Sequence, residues 1–157
     1  MALRSGKNTK GYPKNDELYT PKYIFDALNC RFDLDVCAPK EGPLHTPTSK
    51  WFSMEDDGLA QEWTGFVWMN PPYSKPADWV DKWLAHGNGI ACLPLNGNGK
   101  WVRILWNSEA FSILMPPNVP FINREGVSKL SWYAISLWGI GETAQQVLSN
   151  CGFGKVR

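Results

Sequence analysis

Histidine is nearly missing from this 157-residue chain, which holds His45 and His86 and no others, and its four cysteines (Cys30, Cys37, Cys92 and Cys151) stand far apart. Structural zinc sites need closely paired Cys and His ligands, so no metal centre is expected and the thiols are read as reduced. Long apolar runs are missing too. The longest, such as Trp132 to Trp138, fall well short of the roughly 20 residues that cross a bilayer. The first residues carry no apolar stretch of the signal-peptide kind, and a soluble, intracellular protein without membrane contact is expected. Net charge is also slight, +1, and by itself argues neither for nor against a polyanionic partner. What is plentiful is core-forming material, 43% hydrophobic and 13% aromatic, enough for one sizeable domain and no second.

The charges are unevenly placed. Residues 1 to 15 carry Arg4, Lys7, Lys10 and Lys14 without an acid, whereas residues 16 to 62 carry ten acids against four bases. From residue 63 onwards eight bases face five acids, so the acidic stretch is flanked by basic ones on both sides. An acidic section suits a cationic or hydroxyl-rich ligand. For the tail two readings stand side by side, a solvated flexible segment and a phosphate-contacting arm.

The pattern predicts a basic flexible arm over residues 1–16 and a single domain over 17–157. Thr20-Pro21 opens a first helix through Ile24, Phe25 and Leu28, with Thr20 as N-cap and Pro21 at the first helical position. Phe32-Asp33-Leu34-Asp35-Val36-Cys37-Ala38 alternates as a strand does, and residues 39 to 50, with Pro39, Pro43 and Pro47, read as a loop. Trp51-Phe52 reads as a short strand and residues 55 to 59 as a turn into a brief helical piece. Trp79, Val80, Trp83 and Leu84 recur at helical spacing, and residues 90 to 95 form a buried strand. Gly97-Asn98-Gly99-Lys100 resembles a phosphate loop only superficially, since the spacing fails and no Ser or Thr follows the lysine. Residues 101 to 110 read as helix, 111 to 115 and 131 to 138 as strands, and 116 to 129 as a long loop.

The sharpest chemistry follows the apolar run Phe66 to Met69, in Asn70-Pro71-Pro72-Tyr73. An amino group conjugated to a heterocycle or carbonyl is a poor nucleophile, because its lone pair is delocalised. Two acceptors, the Asn70 side-chain oxygen and the Pro71 carbonyl, can each take one N–H, draw the nitrogen towards tetrahedral geometry and free the lone pair to attack a methyl sulfonium. Proline suits the task because its fixed φ holds the backbone rigid, and its missing N–H keeps the turn out of a ladder. Tyr73 offers a flat face on which a planar target can stack, as flipped bases do. No strong general base is needed, since the nitrogen turns acidic only after methylation. The plainer alternative is a strand terminator. Position favours a site: ligands of open α/β sheets bind beyond the carboxyl ends of strands, and the tetrapeptide sits at a strand-to-helix crossover.

Thr20-Pro21 with Ile24-Phe25, the segment Phe32 to Ala38, Trp51-Phe52, Asp57-Gly58-Leu59, Trp63 and Asn70-Pro71-Pro72-Tyr73-Ser74, in that order, resemble the small DNA N6-adenine methyltransferases of bacteriophages and prophages. The resemblance runs from about Leu18 to Trp138. It implies a Rossmann-like α/β fold with a compact, mixed, mostly parallel sheet flanked by helices, S-adenosyl-L-methionine as cofactor, and DNA as partner, in the cytoplasm of a bacterial host, within restriction and modification. It also leaves room for a homo-oligomer.

On this resemblance Thr20, Pro21, Asp35, Cys37, Ala38, Asp57, Leu59 and Asn70 surround the cofactor, while Asn70, Pro71, Pro72 and Tyr73 hold the base. Asp35 would face the cofactor's ammonium or sulfonium, and Asp57 its adenine amine. The alternatives are an exposed strand-end acid for Asp35, with Asp33 a less favoured substitute, and a helix N-cap for Asp57. Lys7, Lys10, Lys14, Lys75, Arg124 and Lys129 are the expected nucleic-acid contacts. The chain departs from the larger enzymes of this chemistry in having Ala38-Pro39-Lys40 where they carry glycines, and it offers no acid for ribose beyond Glu41. It has no separate target-recognition domain, so sequence reading falls to loops, chiefly 116 to 129, or to a partner subunit. Related chemistries with a planar NH2, at cytosine N4 or a glutamine amide, and a catalytically silent DNA- or cofactor-binding protein are the competing readings.

If the four cations of residues 1–15 all contact phosphates, deleting that segment should lower the slope of log affinity for duplex DNA against log salt by up to about 3.6, at roughly 0.9 per phosphate. A solvated tail leaves the slope unchanged, so a salt titration of wild-type and truncated protein decides between the two.

Overall fold

The computed structural model of the chain describes residues 18–95, 99–115, 118–123, 125–130 and 134–157. The arm over 1–16, with Arg4, Lys7, Lys10 and Lys14, lies outside the described residues, as do Gly97-Asn98, Arg124 and the side chain of Lys129.

The first helix, α1 (Lys22–Leu28), buries Ile24, Phe25 and Leu28 and stops at Asn29, which takes the left-handed conformation at φ 45°. Strand β1 (Leu34–Asp35) pairs regularly over two residues, although single hydrogen bonds continue the alignment from Asp33 to Ala38. On its outer edge Trp51 forms an isolated parallel bridge to Asp35. Strand β2 (Val67–Met69) is fully buried and runs into the proline turn and α2 (Pro76–His86). Pro76 begins α2, where a missing N–H is harmless, and Gly87 ends it at φ 75°. Strand β3 (Gly89–Pro94) is buried at all six positions, as befits a strand covered on both faces. Then follow α3 (Lys100–Trp106), β4 (Phe111–Leu114), the pair β5 (Pro120–Ile122) and β6 (Ser128–Leu130), β7 (Ile135–Ile140) and α4 (Glu142–Asn150).

Five strands form one sheet in the order β1-β2-β3-β7-β4, and β5 and β6 form a separate antiparallel hairpin. β1 and β2 are parallel, as are β2 and β3, whereas β7 runs antiparallel to both its neighbours. The sheet is therefore mixed and mostly parallel, as the resemblance implies: β1, β2, β3 and β4 run one way and β7 the other. Alternation along the strands separates two cores. Trp68, Ile90, Cys92, Ile135 and Leu137 face α1 and α4. Val67, Met69, Ala91, Leu93 and Trp138 face α2 and α3, with Trp79, Trp83 and Leu105.

Several expectations are corrected. Thr20 does not cap α1: Pro21 holds the N-cap position without a side-chain cap bond, and the Thr20 hydroxyl is engaged elsewhere. Helix α3 stops short of Ala110, because the Ser108 hydroxyl bonds back to the Leu105 carbonyl at 2.6 Å and then receives the Ala110 N–H at 3.1 Å. The segment 55 to 59 is a turn with no helix after it. The stretch 116 to 129 is no plain loop: it contains β5 and most of β6, joined through a turn in which the Val127 N–H bonds Asn123 Oδ1 at 2.7 Å. The last strand is displaced to Ile135–Ile140, and α4 has no counterpart among the expected elements. Its signal is weak, since only Ala144 and Leu148 are buried in it.

Those two residues fasten α4 to the sheet. Leu148 is wholly buried, so Leu148→Ala should lower stability by about 2–5 kcal/mol. Urea denaturation should show a lower midpoint at unchanged slope.

Candidate functional site

Parallel pairing of β1 with β2 matches Leu34 with Val67 and Asp35 with Trp68. The carboxyl ends of both strands therefore open at one edge of the sheet. Asn70 lies two residues past Trp68, which puts its Cα about 8 Å from that of Asp35, from a rise near 3.3 Å per residue and a strand spacing near 4.8 Å.

Asp35 is buried, 4% exposed, and both carboxylate oxygens are engaged: Oδ1 accepts the Cys37 N–H at 3.1 Å and Oδ2 the Thr46 hydroxyl at 2.7 Å. Burial pushes the carboxyl up to about 6, while the bonds from Thr46 and Cys37 pull the other way. Asp33, two residues back, is spent on structure, since its Oδ2 accepts the Phe66 N–H at 2.7 Å. It also leaves no space for a side chain at Gly65, where φ is +71° and a Cβ would come within 2.3 Å of Asp33 Oδ2.

The Asn70 carboxamide is held from its nitrogen side. Nδ2 donates to the Leu18 carbonyl at 2.7 Å and to Thr20 Oγ1 at 3.2 Å. Pro71 and Pro72 are buried; the Pro72 carbonyl accepts the Lys75 N–H at 3.3 Å, while the Pro71 carbonyl accepts no backbone N–H among the described residues. Tyr73 is half-buried and meets Phe121 of β5 edge-on, ring centroids 6.3 Å apart at 90°. Its hydroxyl points inward to the Cys92 thiol without a hydrogen bond of standard geometry. Burial raises the Tyr73 phenol well above its usual range and pushes the Cys92 thiol up to about 12, so both stay protonated. Neither can act as a base.

Thr20, Asp35, Cys37 and Asn70 line one cleft. Sequence reading missed most of its other walls: Tyr19, Trp68 and, from one loop, Pro39, Pro43, Leu44, His45 and Thr46. The dense prolines of that loop were the available signal. Pro21 and Ala38 are buried beside the cleft without lining it. Asp57 is exposed at φ +54°, and Leu59 packs with the tryptophan core while its carbonyl accepts from Lys82 Nζ at 2.7 Å. Their turn nonetheless abuts the end of β1, because a Cβ on Gly58 would meet the Val36 carbonyl oxygen at 2.4 Å. Glu41 is exposed outside the cleft.

Of the expected nucleic-acid contacts, Lys75 is exposed at the start of α2, on the motif's own turn, and Lys129 lies on β6 opposite Phe121. The hairpin is tied to the site twice. Phe121 touches Tyr73, and Tyr19 exchanges two hydrogen bonds with Ile122, at 2.7 and 3.0 Å. Among the described residues, no three Cys, His, Asp or Glu side chains gather as metal ligands, and no helix is long and apolar enough to cross a membrane.

Comparison with known proteins adds independent findings. The family described as DNA N-6-adenine-methyltransferase (Dam) matches residues 7–125. A DNA N-6-adenine-methyltransferase of Haemophilus phage HP1 is 30% identical over 134 residues, covering 78% of this chain and 75% of that protein. One of Escherichia phage T1 is 32% identical over 110 residues, covering 62% of this chain and 45% of that protein. No solved structure matches.

The buried acid makes a prediction about stability. Below about pH 4 Asp35 is protonated both folded and unfolded and contributes nothing. From there to about pH 6 the unfolded chain ionises while the folded one keeps its proton, so stability falls as pH rises, then levels off. Each pH unit of that window costs the native state about 1.36 kcal/mol. Relative to wild type, Asp35→Asn should therefore gain up to about 3 kcal/mol between pH 4 and pH 6 and no more above. Parallel curves in denaturation across that range would show that burial does not govern this carboxyl.

Proposed function

The chain belongs to the DNA N-6-adenine-methyltransferase (Dam) family, and from that premise we propose how its residues methylate the N6 amino group of adenine in DNA with S-adenosyl-L-methionine as donor. The mixed sheet with helices on both faces supports a Rossmann-like methyltransferase fold. When bound, the cofactor supplies an electrophilic methyl group on a sulfonium.

The chemistry of the cleft's lining suits such a molecule. Its buried carboxylate, Asp35, is held by hydrogen bonds that can be exchanged for those of an ammonium, and a cation beside it would lower its pKa and favour its charged form. Thr20, Cys37 and Asn70 complete the polar lining, and Trp68 and the proline loop supply apolar wall. Asp57 and Leu59, on the turn against Val36, would meet the adenine end of a longer ligand.

The observation that carries the mechanism is the Asn70 carboxamide. With Nδ2 anchored to Leu18 and Thr20, the atom left to accept a proton from a substrate is Oδ1. Together with the Pro71 carbonyl it accepts the two hydrogens of a flipped adenine's amino group, localising the nitrogen lone pair. Tyr73, packed against Phe121 and unable to ionise, contributes a ring surface for stacking rather than acid–base chemistry. Catalysis is then positioning and exclusion of water. The β5–β6 hairpin, which carries Lys129, and Lys75 at the motif are the surfaces that meet DNA around the target, with Arg124 of the sequence a further candidate.

Incubating the protein with duplex DNA and methyl-labelled S-adenosylmethionine, then analysing nucleosides by mass, should yield N6-methyladenine. N4-methylcytosine, or binding without label transfer, would overturn the assignment. Asn70→Ala should lower turnover by about two orders of magnitude with cofactor affinity nearly intact, as for loss of one oriented catalytic group. Near-normal single-turnover methylation by that variant would remove Asn70 from the mechanism.

A further inference from the structure

An asparagine amide can serve as a hydrogen-bond acceptor for substrate only if it does not flip. Oxygen and nitrogen occupy nearly the same space, so shape alone does not choose between the two orientations. The chain chooses by chemistry. The Leu18 carbonyl, 2.7 Å from Asn70 Nδ2, has no proton and cannot face an oxygen without two acceptors opposing each other. Thr20 Oγ1 takes the second Nδ2 proton at 3.2 Å. Thr20 is itself buried, 4% exposed, which holds that oxygen in place beside the amide. Thr20 thus accepts from the same nitrogen as the Leu18 carbonyl, and a flipped carboxamide would set its oxygen against that carbonyl and lose the bond the carbonyl accepts.

We propose that Thr20 is a positioning residue: with the Leu18 carbonyl it fixes the Asn70 carboxamide so that Oδ1 alone faces the substrate amine, and it acts on turnover rather than by holding the cofactor. This rests on the methyltransferase reading of the same site. Thr20 lines the cleft as well, so the alternative of direct cofactor contact is a real one and gives a different outcome.

The test compares Thr20→Val, which keeps the shape and removes the hydroxyl, with Thr20→Ser, which keeps the hydroxyl. At saturating cofactor and DNA, Thr20→Val should lose about tenfold or more in kcat, the size expected for one hydrogen bond to a catalytic group. Its calorimetric Kd for S-adenosylmethionine should stay within about twofold of wild type, and Thr20→Ser should restore kcat. In 15N-resolved spectra of the protein without ligands, the Asn70 side-chain NH2 should exchange with solvent markedly faster in Thr20→Val than in wild type or Thr20→Ser. A weakened Kd at unchanged kcat would make Thr20 a cofactor contact and overturn the proposal, as would identical exchange of the Asn70 amide in all three proteins. If Thr20→Val does not fold, Thr20→Ala against Thr20→Ser gives the same comparison. A wild-type protein that methylates nothing would instead refute the function proposed above, and the exchange measurement would still decide whether Thr20 locks the amide.

Discussion

Parallel, in-register pairing of β1 with β2 is the constraint on which the site depends. Two parallel neighbours must end on the same side, and matching Asp35 with Trp68 leaves an acid and a carboxamide at one edge and on one face of the sheet. A slip of one residue in β1 would turn Asp35 to the opposite face, away from Asn70. The register is secured from outside the strands: Asp33 clamps the chain entering β2, and Lys50 and Phe52 bond Asp35 along its other edge. The short regular strands are thus held by their flanks as much as by their own ladder.

The separation of the two cores then decides what each motif residue can do. Trp68 and Asn70 project to the face shared with α1, so the amide meets Thr20 and Leu18, whereas the helix that follows the motif packs its tryptophans on the opposite face. Two prolines carry the chain from one layer to the other in a turn too stiff to wander. Beneath the turn the Tyr73 hydroxyl is buried without a hydrogen-bond partner among the described residues, and that burial keeps its phenol protonated.

What was legible in the sequence was the chemistry with strong local grammar. Asn70-Pro71-Pro72-Tyr73 at a strand end, the tryptophan-spaced helix after it, the buried strand at 90 to 95 and the acid at Asp35 all rest on short-range pattern. The mistakes came from contacts between distant residues. Thr20 reads as a helix cap because a threonine before a proline commonly is one, and nothing local signals that its hydroxyl belongs to an amide fifty positions away. The β5–β6 hairpin hides behind Pro120 and strands of three residues, and α4 behind a mostly polar surface in which only Ala144 and Leu148 are fully buried. The cleft walls at Leu44, His45 and Thr46 lie in a loop, where sequence alone says where the chain turns but not what it leans against.

The segment that grips Asn70 has a further consequence for heat. Leu18 and Tyr19 are half-buried, and Tyr19 is paired with the small hairpin rather than with the five-stranded sheet. Native proteins open in graded steps, and marginal segments come loose at far lower free energy than a sheet covered on both sides. Loosening of that grip and melting of the sheet are then separable on heating. An Asn70 that loses its Leu18 and Thr20 partners would be free to turn while the tryptophan-rich core beneath it is still folded.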